Sequence, residues 1–173
     1  SRLLLDYNYF SPKFLPPLME LFKEAGVEAR GCPLTRKIVK GIKVATEEDW
    51  KTEYLDLIIS VKIVGGLAQA VEHINKYGSR HTEAIVTKNK TAAAEFLASV
   101  DASCVFHNAS TRFADGFRFG KGAEIGISTN KTHARGPVGL EGLVIYRYIM
   151  RGGGHIVAPY TGKNAKKFKH IRK

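Results

Sequence analysis

Two cysteines in 173 residues, Cys32 and Cys104, are too few for a disulfide framework. Such a pair is expected to stay reduced in a cytoplasmic setting. No apolar run approaches the ~20 residues of a membrane span, so no membrane partner is expected. The opening residues, SRLLLDYNYF, are too short and too polar for a signal peptide. The six histidines show neither HExxH nor CxxC-linked spacing, and no metal is expected. No internal repeat is visible, and only Gly152–Gly154 and the basic C-terminus are of low complexity.

Acid is missing from one end. The last eleven residues, KNAKKFKHIRK, hold six Lys or Arg and no Asp or Glu. Without them the formal net charge of +11 would be only +5. The tail also lacks hydrophobic periodicity, so residues 161–173 read as solvated, and nucleic acid is not an expected partner. The positive charge elsewhere suits a protein with anionic ligands.

What remains is ordinary for a globular domain: 44% hydrophobic and 25% charged residues, in a chain long enough to bury a core. An apolar run, Leu3–Leu5, is followed by a helix that opens at Ser11, with Pro12 in its first position. The helix runs to about Ala25, is capped by Gly26, and turns Leu15, Leu18, Phe22 and Ala25 to one face. Val27–Ala45 reads as a strand pair or an irregular excursion. Glu53–Val64 ends in dense β-branched residues, the mark of a buried strand. Leu67–Lys76 is a helix with Ala70, Val71 and Ile74 inward. Ala84–Thr87 is a strand, Thr91–Ser99 a helix and Ser103–His107 a strand. The alternation predicts an α/β fold with a parallel sheet, whose ligands lie at the carboxyl ends of its strands. Asn108–Phe113 follows directly from one such end.

Asp101–Leu143 is the most informative stretch. It holds seven of the seventeen glycines, beside Arg112, His133 and Arg135. Glycine permits close backbone approach to a ligand, and Arg or His beside it reads as an anion site. Asn108, Ser110, Thr111 and Arg112 offer an amide, two hydroxyls and a guanidinium within five residues; the alternative is an Asx-turn with a capping hydroxyl. Gly120 and Gly122 bracket Lys121, a weak signal alone. His133 and Arg135, two apart, share a face of an extended segment, which suits a phosphate; alternatively Arg135 pairs with Glu124 or Glu141. Glu124 could orient a basic neighbour or be surface charge. Cys104 lies two residues before His107, but strand alternation places it with Phe106 on a buried face, where thiols are usually inert. Cys32, beside Pro33 with no base nearby, is assigned nothing.

Three segments in this order, NASTRF (Asn108–Phe113), FGKGAEIGIST (Phe119–Thr129) and HARGPVGLEGL (His133–Leu143), resemble the signature of γ-glutamyl phosphate reductases, a branch of the aldehyde dehydrogenase superfamily. Glu53–Val64 and His73–Thr87 are similar to that family's catalytic domain, and Tyr146–Gly154 to the hairpin that follows it. Lys121 departs from the Leu usual there. The resemblance implies a three-layer parallel α/β sheet of the aldehyde dehydrogenase catalytic-domain type with a C-terminal β-hairpin extension. The expected organisation is a catalytic-domain portion over 1–143, a hairpin or oligomerisation extension over 144–160, and the tail.

The resemblance further implies NADP as cofactor, L-glutamyl 5-phosphate as substrate and a homo-oligomer. It gives substrate-binding roles to Asn108, Ser110, Thr111, Arg112, Phe119, Gly120, His133 and Arg135. Glu53 would hold the nicotinamide ribose hydroxyls. The family's nucleophilic Cys lies just ahead of the segment matched by Leu3–Leu5. No catalytic residue is therefore expected here; a missing N-terminal half or a partner chain would supply it. A truncated, inactive relative acting as an assembly module is the competing reading.

Overall fold

The computed structural model describes residues 2–6 and 11–169. The last four residues of the basic tail lie outside the described residues. The chain divides into two units, Ser1–Leu143 and Val144–Lys173.

The first unit is built on a parallel four-stranded sheet. Strand β1 (Arg2–Asp6) leads to helix α1 (Ser11–Glu24), strand β2 (Glu28–Gly31), helix α2 (Pro33–Ile38) and strand β3 (Lys43–Val44). After a turn of 3-10 helix at Glu48–Trp50 comes strand β4 (Ile58–Val64), the centre of a sheet ordered β1-β4-β2-β3. Val27–Ala45 is thus a strand–helix–strand crossover rather than a strand pair. β2 and β3 are parallel, pairing Arg30 with Lys43, and parallel neighbours need a crossover, here the short α2. Helix α3 (Leu67–Tyr77), strand β5 (Thr82–Ile85), helix α4 (Lys90–Ser99) and strand β6 (Cys104–His107) follow, β5 and β6 forming a parallel pair. Strands β7 (Gly126–Ser128) and β8 (Gly136–Val138) close the unit as an antiparallel ribbon.

β4 organises both layers. Alternation puts Val61 and Ile63 on one face, where Leu15 and Met19 of α1 complete a buried cluster. Leu15 and Val61 are wholly buried. Met19 takes the inward place that the sequence pattern gave to Ala25, which is exposed just ahead of Gly26 at φ 71°. On the opposite face Lys62 Nζ lies 3.0 Å from His73 Nδ1 of α3, and the His73 ring stacks edge-on against Trp50. His73 is the buried residue of α3, beside the half-buried Ala70, Val71 and Ile74. Helices therefore cover both faces of a parallel sheet, as the three-layer expectation requires.

A buried carboxylate ties the sheet edge to the loop that follows it. Asp49 is 4% exposed. It accepts hydrogen bonds from Arg30 Nη1 (2.7 Å), Thr46 N (2.6 Å), Thr46 Oγ1 (2.8 Å) and the Tyr54 hydroxyl (2.6 Å). Tyr54 also lies 2.6 Å from Ser60 Oγ of β4. Burial alone would raise the Asp49 pKa, but Tyr54, Thr46 and Arg30 outweigh it and hold it far below the usual carboxylate range.

The second unit begins at Val144. No strand forms in it among the described residues; its regular element is a 3-10 turn at Ala158–Tyr160. Residues 144–160, expected as a hairpin or oligomerisation extension, carry no assigned strand among the described residues. Ile145, Tyr148 and Met150 are more than 90% exposed. Tyr146 and Tyr148 meet edge to face, and Tyr160 stacks on Phe168.

Asp49→Ala is expected to destabilise the first unit by about 3 kcal/mol, because Arg30 and Tyr54 lose a buried partner. Since the folded pKa is depressed, the stabilisation is full above about pH 4 and is lost as pH falls. Denaturant titrations of wild type should weaken below that pH, and those of Asp49→Asn should lose much of this dependence.

Candidate functional site

β6 delivers its next residues into a locked turn. Asn108 has φ 51°, left-handed backbone that Asn tolerates better than most residues. Its Oδ1 accepts from Thr87 N and its Nδ2 donates to Thr87 O, both at 2.9 Å. His107 Nε2 lies 2.9 Å from that same carbonyl. The amide given a substrate role thus laces the loop after β6 to the loop after β5. Ser110 Oγ accepts from Arg112 N at 3.2 Å and caps a 3-10 turn, Thr111–Phe113. Thr111 and Arg112 are exposed, and the Arg112 carbonyl accepts from Arg118 Nη1.

The glycine segment folds on itself. Glu124 Oε2 accepts from Gly116 N at 2.8 Å, so this carboxylate orients backbone rather than a cation. Phe119 meets Phe106 edge to face, with ring centroids 6.4 Å apart. Gly120 and Gly122 both have φ near 70°, which a side chain would strain. Gly139 is closely packed: a Cβ there would come within 2.5 Å of the Lys121 carbonyl.

Arg135 is ion-paired, but with neither Glu124 nor Glu141. Its Nη2 lies 2.8 Å from Asp101 Oδ1, while Lys131 and Arg80 approach Oδ2 at 2.9 and 4.0 Å. The Lys131 and Arg135 hydrogen bonds lower the Asp101 pKa to about 2. Arg135 Nε is buried without a hydrogen-bond partner among the described residues. His133, at φ 64°, is exposed.

Two clefts collect these residues. His133 and Arg135 line one of about 370 Å³ with Lys121, Pro137 and Glu141. Glu53, Thr111 and Arg112 line another of about 290 Å³ with Ser79, His81 and Thr82. The second joins a proposed cofactor residue to two proposed substrate residues. Asn108, Ser110, Phe119 and Gly120 line neither. Ser79, His81 and Thr82 lie in the segment His73–Thr87 that resembles the family's catalytic domain, but were given no site role. They open β5, and the rule that ligands lie at carboxyl ends of parallel strands points away from them.

Cys104 is buried, as expected of a core thiol. Cys32 is buried too, as N-cap of α2, with Sγ 3.2 Å from Thr35 Oγ1. Burial raises the Cys32 pKa, but hydrogen bonds from Thr35 and nearby backbone outweigh it, and the net shift is downward. Among the described residues no cluster of His, Cys, Asp or Glu could hold a metal ion, and no helix is long and apolar enough to cross a membrane.

No family model matches the chain. A γ-glutamyl phosphate reductase from Synechococcus sp. (strain JA-2-3B'a(2-13)) is 60% identical over 167 residues, covering 96% of this chain and 37% of the relative. The crystal structure of γ-glutamyl phosphate reductase from Thermotoga maritima superposes with a TM-score of 0.85 at 49% identity, over 90% of this chain and 37% of that one. Nearly the whole chain matches a portion of γ-glutamyl phosphate reductases. It spans a little over a third of the curated relatives' length, and the γ-glutamyl phosphate reductase of Acetivibrio thermocellus, 56% identical, shows the same proportion (98% of this chain, 39% of the relative). The Saccharomyces cerevisiae reductase structure is more distant, with a TM-score of 0.50 and 36% identity over 69% of this chain and 31% of that one.

Asn108 separates backbone strain from clamping in this chain. Asn108→Ala loses both bonds to Thr87 and leaves a β-carbon in left-handed backbone; Asn108→Gly loses only the bonds. The alanine variant is expected to be less stable than the glycine variant by about 1 kcal/mol, read from thermal or denaturant midpoints.

Proposed function

We propose that this chain is the substrate-holding portion of an NADPH-dependent reductase. The complete protein would convert L-glutamyl 5-phosphate to L-glutamate 5-semialdehyde and phosphate in proline biosynthesis. The observation that carries this reading is the meeting of Glu53, Thr111 and Arg112 in one cleft of a chain that matches a portion of γ-glutamyl phosphate reductases. A glutamyl substrate has an α-carboxylate, which an exposed guanidinium recognises by charge-assisted hydrogen bonds.

The other cleft suits the phosphate. Lys121, His133 and Arg135 line it. Lys121, unusual in its position, adds charge of the right sign. Phe119 and Gly120 lie on the exposed turn between Phe106 and Lys121, where an aromatic edge and an unobstructed backbone can flank a substrate chain.

Glu53 fits a cofactor. Its carboxylate lies at the cleft wall and pairs with no cation among the described residues, leaving both oxygens able to accept from vicinal hydroxyls. NADPH supplies the hydride when bound, and this chain's part is to hold ligands and exclude water. The nucleophilic cysteine and most of the cofactor contacts are assigned to the rest of the complete enzyme. Exposed Ile145, Tyr148 and Met150 give the second unit an apolar surface that supports association between copies.

In the complete enzyme, Arg112→Ala should raise the KM for the glutamyl substrate or semialdehyde roughly 10- to 100-fold, the value of one charge-assisted contact, and leave the NADP KM unchanged. An unchanged substrate KM would make Arg112 a surface side chain of its turn. Arg135→Ala should raise the phosphate KM in the reverse direction, with Arg135→Lys recovering part of it because a point charge replaces a planar fork. The 173-residue chain alone should show no phosphate-dependent NADP reduction with the semialdehyde. Activity that disappears on Cys104→Ser would overturn both that expectation and the inert reading of Cys104.

A further inference from the structure

We propose that His81 is a specificity-determining residue. In the cleft it shares with Glu53 and Arg112, its imidazole joins the Arg112 guanidinium in gripping the α-carboxylate of an amino-acid substrate. The assignment rests on the functional reading above and deepens it.

The cleft walls carry both signs of charge. Arg112 supplies a cation and Glu53 an anion, and His81 stands with Ser79 and Thr82 between hydroxyl groups. An α-amino acid presents a carboxylate, to which the Arg112 cation is complementary, while Glu53 is left to the cofactor hydroxyls. A single guanidinium fixes a carboxylate's position but fills only part of its hydrogen-bonding capacity; a second donor from another direction adds selectivity.

His81 is held ready for this task. Its carbonyl accepts from Cys104 N (2.9 Å) and from Ser103 Oγ (2.6 Å), which pins the backbone to the start of β6. The preceding Arg80 sits at φ 61° and leans toward Asp101, while its own carbonyl accepts from Ser103 N. Both flanking residues, Ser79 and His81, line the cleft. His81 Nδ1 lies 2.5 Å from Thr82 Oγ1. If the threonine hydroxyl donates to Nδ1, the neutral ring carries its proton on Nε2, and the imidazole remains a donor without being charged.

The test uses the complete enzyme in its phosphate-dependent, NADP-reducing direction. Two aldehydes are compared: L-glutamate 5-semialdehyde, and 4-aminobutanal, the same aldehyde without the α-carboxylate. His81→Ala is expected to lower kcat/KM for the semialdehyde roughly 10- to 100-fold and to change that for 4-aminobutanal less than about threefold. The NADP KM should stay constant, and His81→Gln, which keeps an N–H donor, should recover part of the loss. Equal losses on both aldehydes, or none on either, would overturn the assignment. Wild-type enzyme that fails to turn over the semialdehyde would instead defeat the functional reading. A second arm needs no turnover: L-glutamate binding to the complete protein by calorimetry. It should exceed 4-aminobutyrate binding in wild type and fall to that level in His81→Ala. Wild-type protein that binds the two alike would also overturn the assignment.

Discussion

The Asp49 carboxylate is the constraint on which much of the first unit depends. A carboxylate 4% exposed cannot stay ionised without several donors, and here those donors come from separate parts of the chain. Arg30 reaches it from β2, Thr46 from the loop after β3, and Tyr54 from the loop before β4. Tyr54 then passes the connection to Ser60 inside β4. Satisfying one charge therefore fixes both ends of the Thr46–Leu57 connection against the sheet. Glu53 lies on that connection, next to Tyr54. Its place at the cleft wall is a consequence of a buried network in which it takes no part.

The same economy appears in the backbone. Left-handed conformations at non-glycine residues occur at Leu55, Arg80, Asn108 and His133 among the described residues. Each costs about 1–2 kcal/mol. Every one is a candidate site residue or lies within two residues of one: Glu53, His81, Asn108 itself, and His133 itself. Three are offset by visible restraints. Asp49 holds Tyr54, the residue before Leu55, Asp101 and Ser103 hold Arg80, and the Asn108 amide holds its own turn through Thr87. Strain at these positions marks loops whose shape is set by the surrounding structure, as pre-organised binding requires.

Much of this was legible in sequence. Strand β4 announced itself through Ile58, Ile59, Val61, Ile63 and Val64, and α1 through Leu15, Leu18 and Phe22, because burial of one face dictates spacing. The likeness to these reductases was legible in Asn108–Leu143, where glycines with unusual φ and fixed neighbours leave little freedom to substitute. β2 and β3 were obscured because strands of four and two residues beside Gly31 and Pro33 are too short to show a period. Asp49, Trp50 and His73 were missed for a different reason: periodicity finds apolar faces, whereas Asp49 is buried by hydrogen bonds, and Trp50 and His73 by a ring contact between residues distant in sequence. The hairpin or oligomerisation extension expected at 144–160 rested on likeness alone, since pairing and association depend on partners that local pattern does not specify.

The charge around Asp101 shows why spacing misjudges a binding residue. Two basic residues two positions apart, His133 and Arg135, look equivalent in an extended segment. The fold separates them. Arg135 is drawn to Asp101, which Lys131 and Arg80 also approach, so one carboxylate faces three cations and the cluster keeps a surplus of positive charge. That arrangement can orient Arg135 without neutralising its surroundings, since its pairing consumes Nη2 and leaves Nε without a described partner. His133 stays outside the cluster and exposed, on strained backbone, with Lys121 on the same cleft. An anion entering there would meet the Arg135 guanidinium, already fixed by an acid, and the Lys121 ammonium, which is not. Fixed and free cations differ in what they contribute: the first gives position, the second adds attraction, which salt screens. The ion pair with Asp101 fixes where the Arg135 guanidinium sits, which spacing in the sequence could not show.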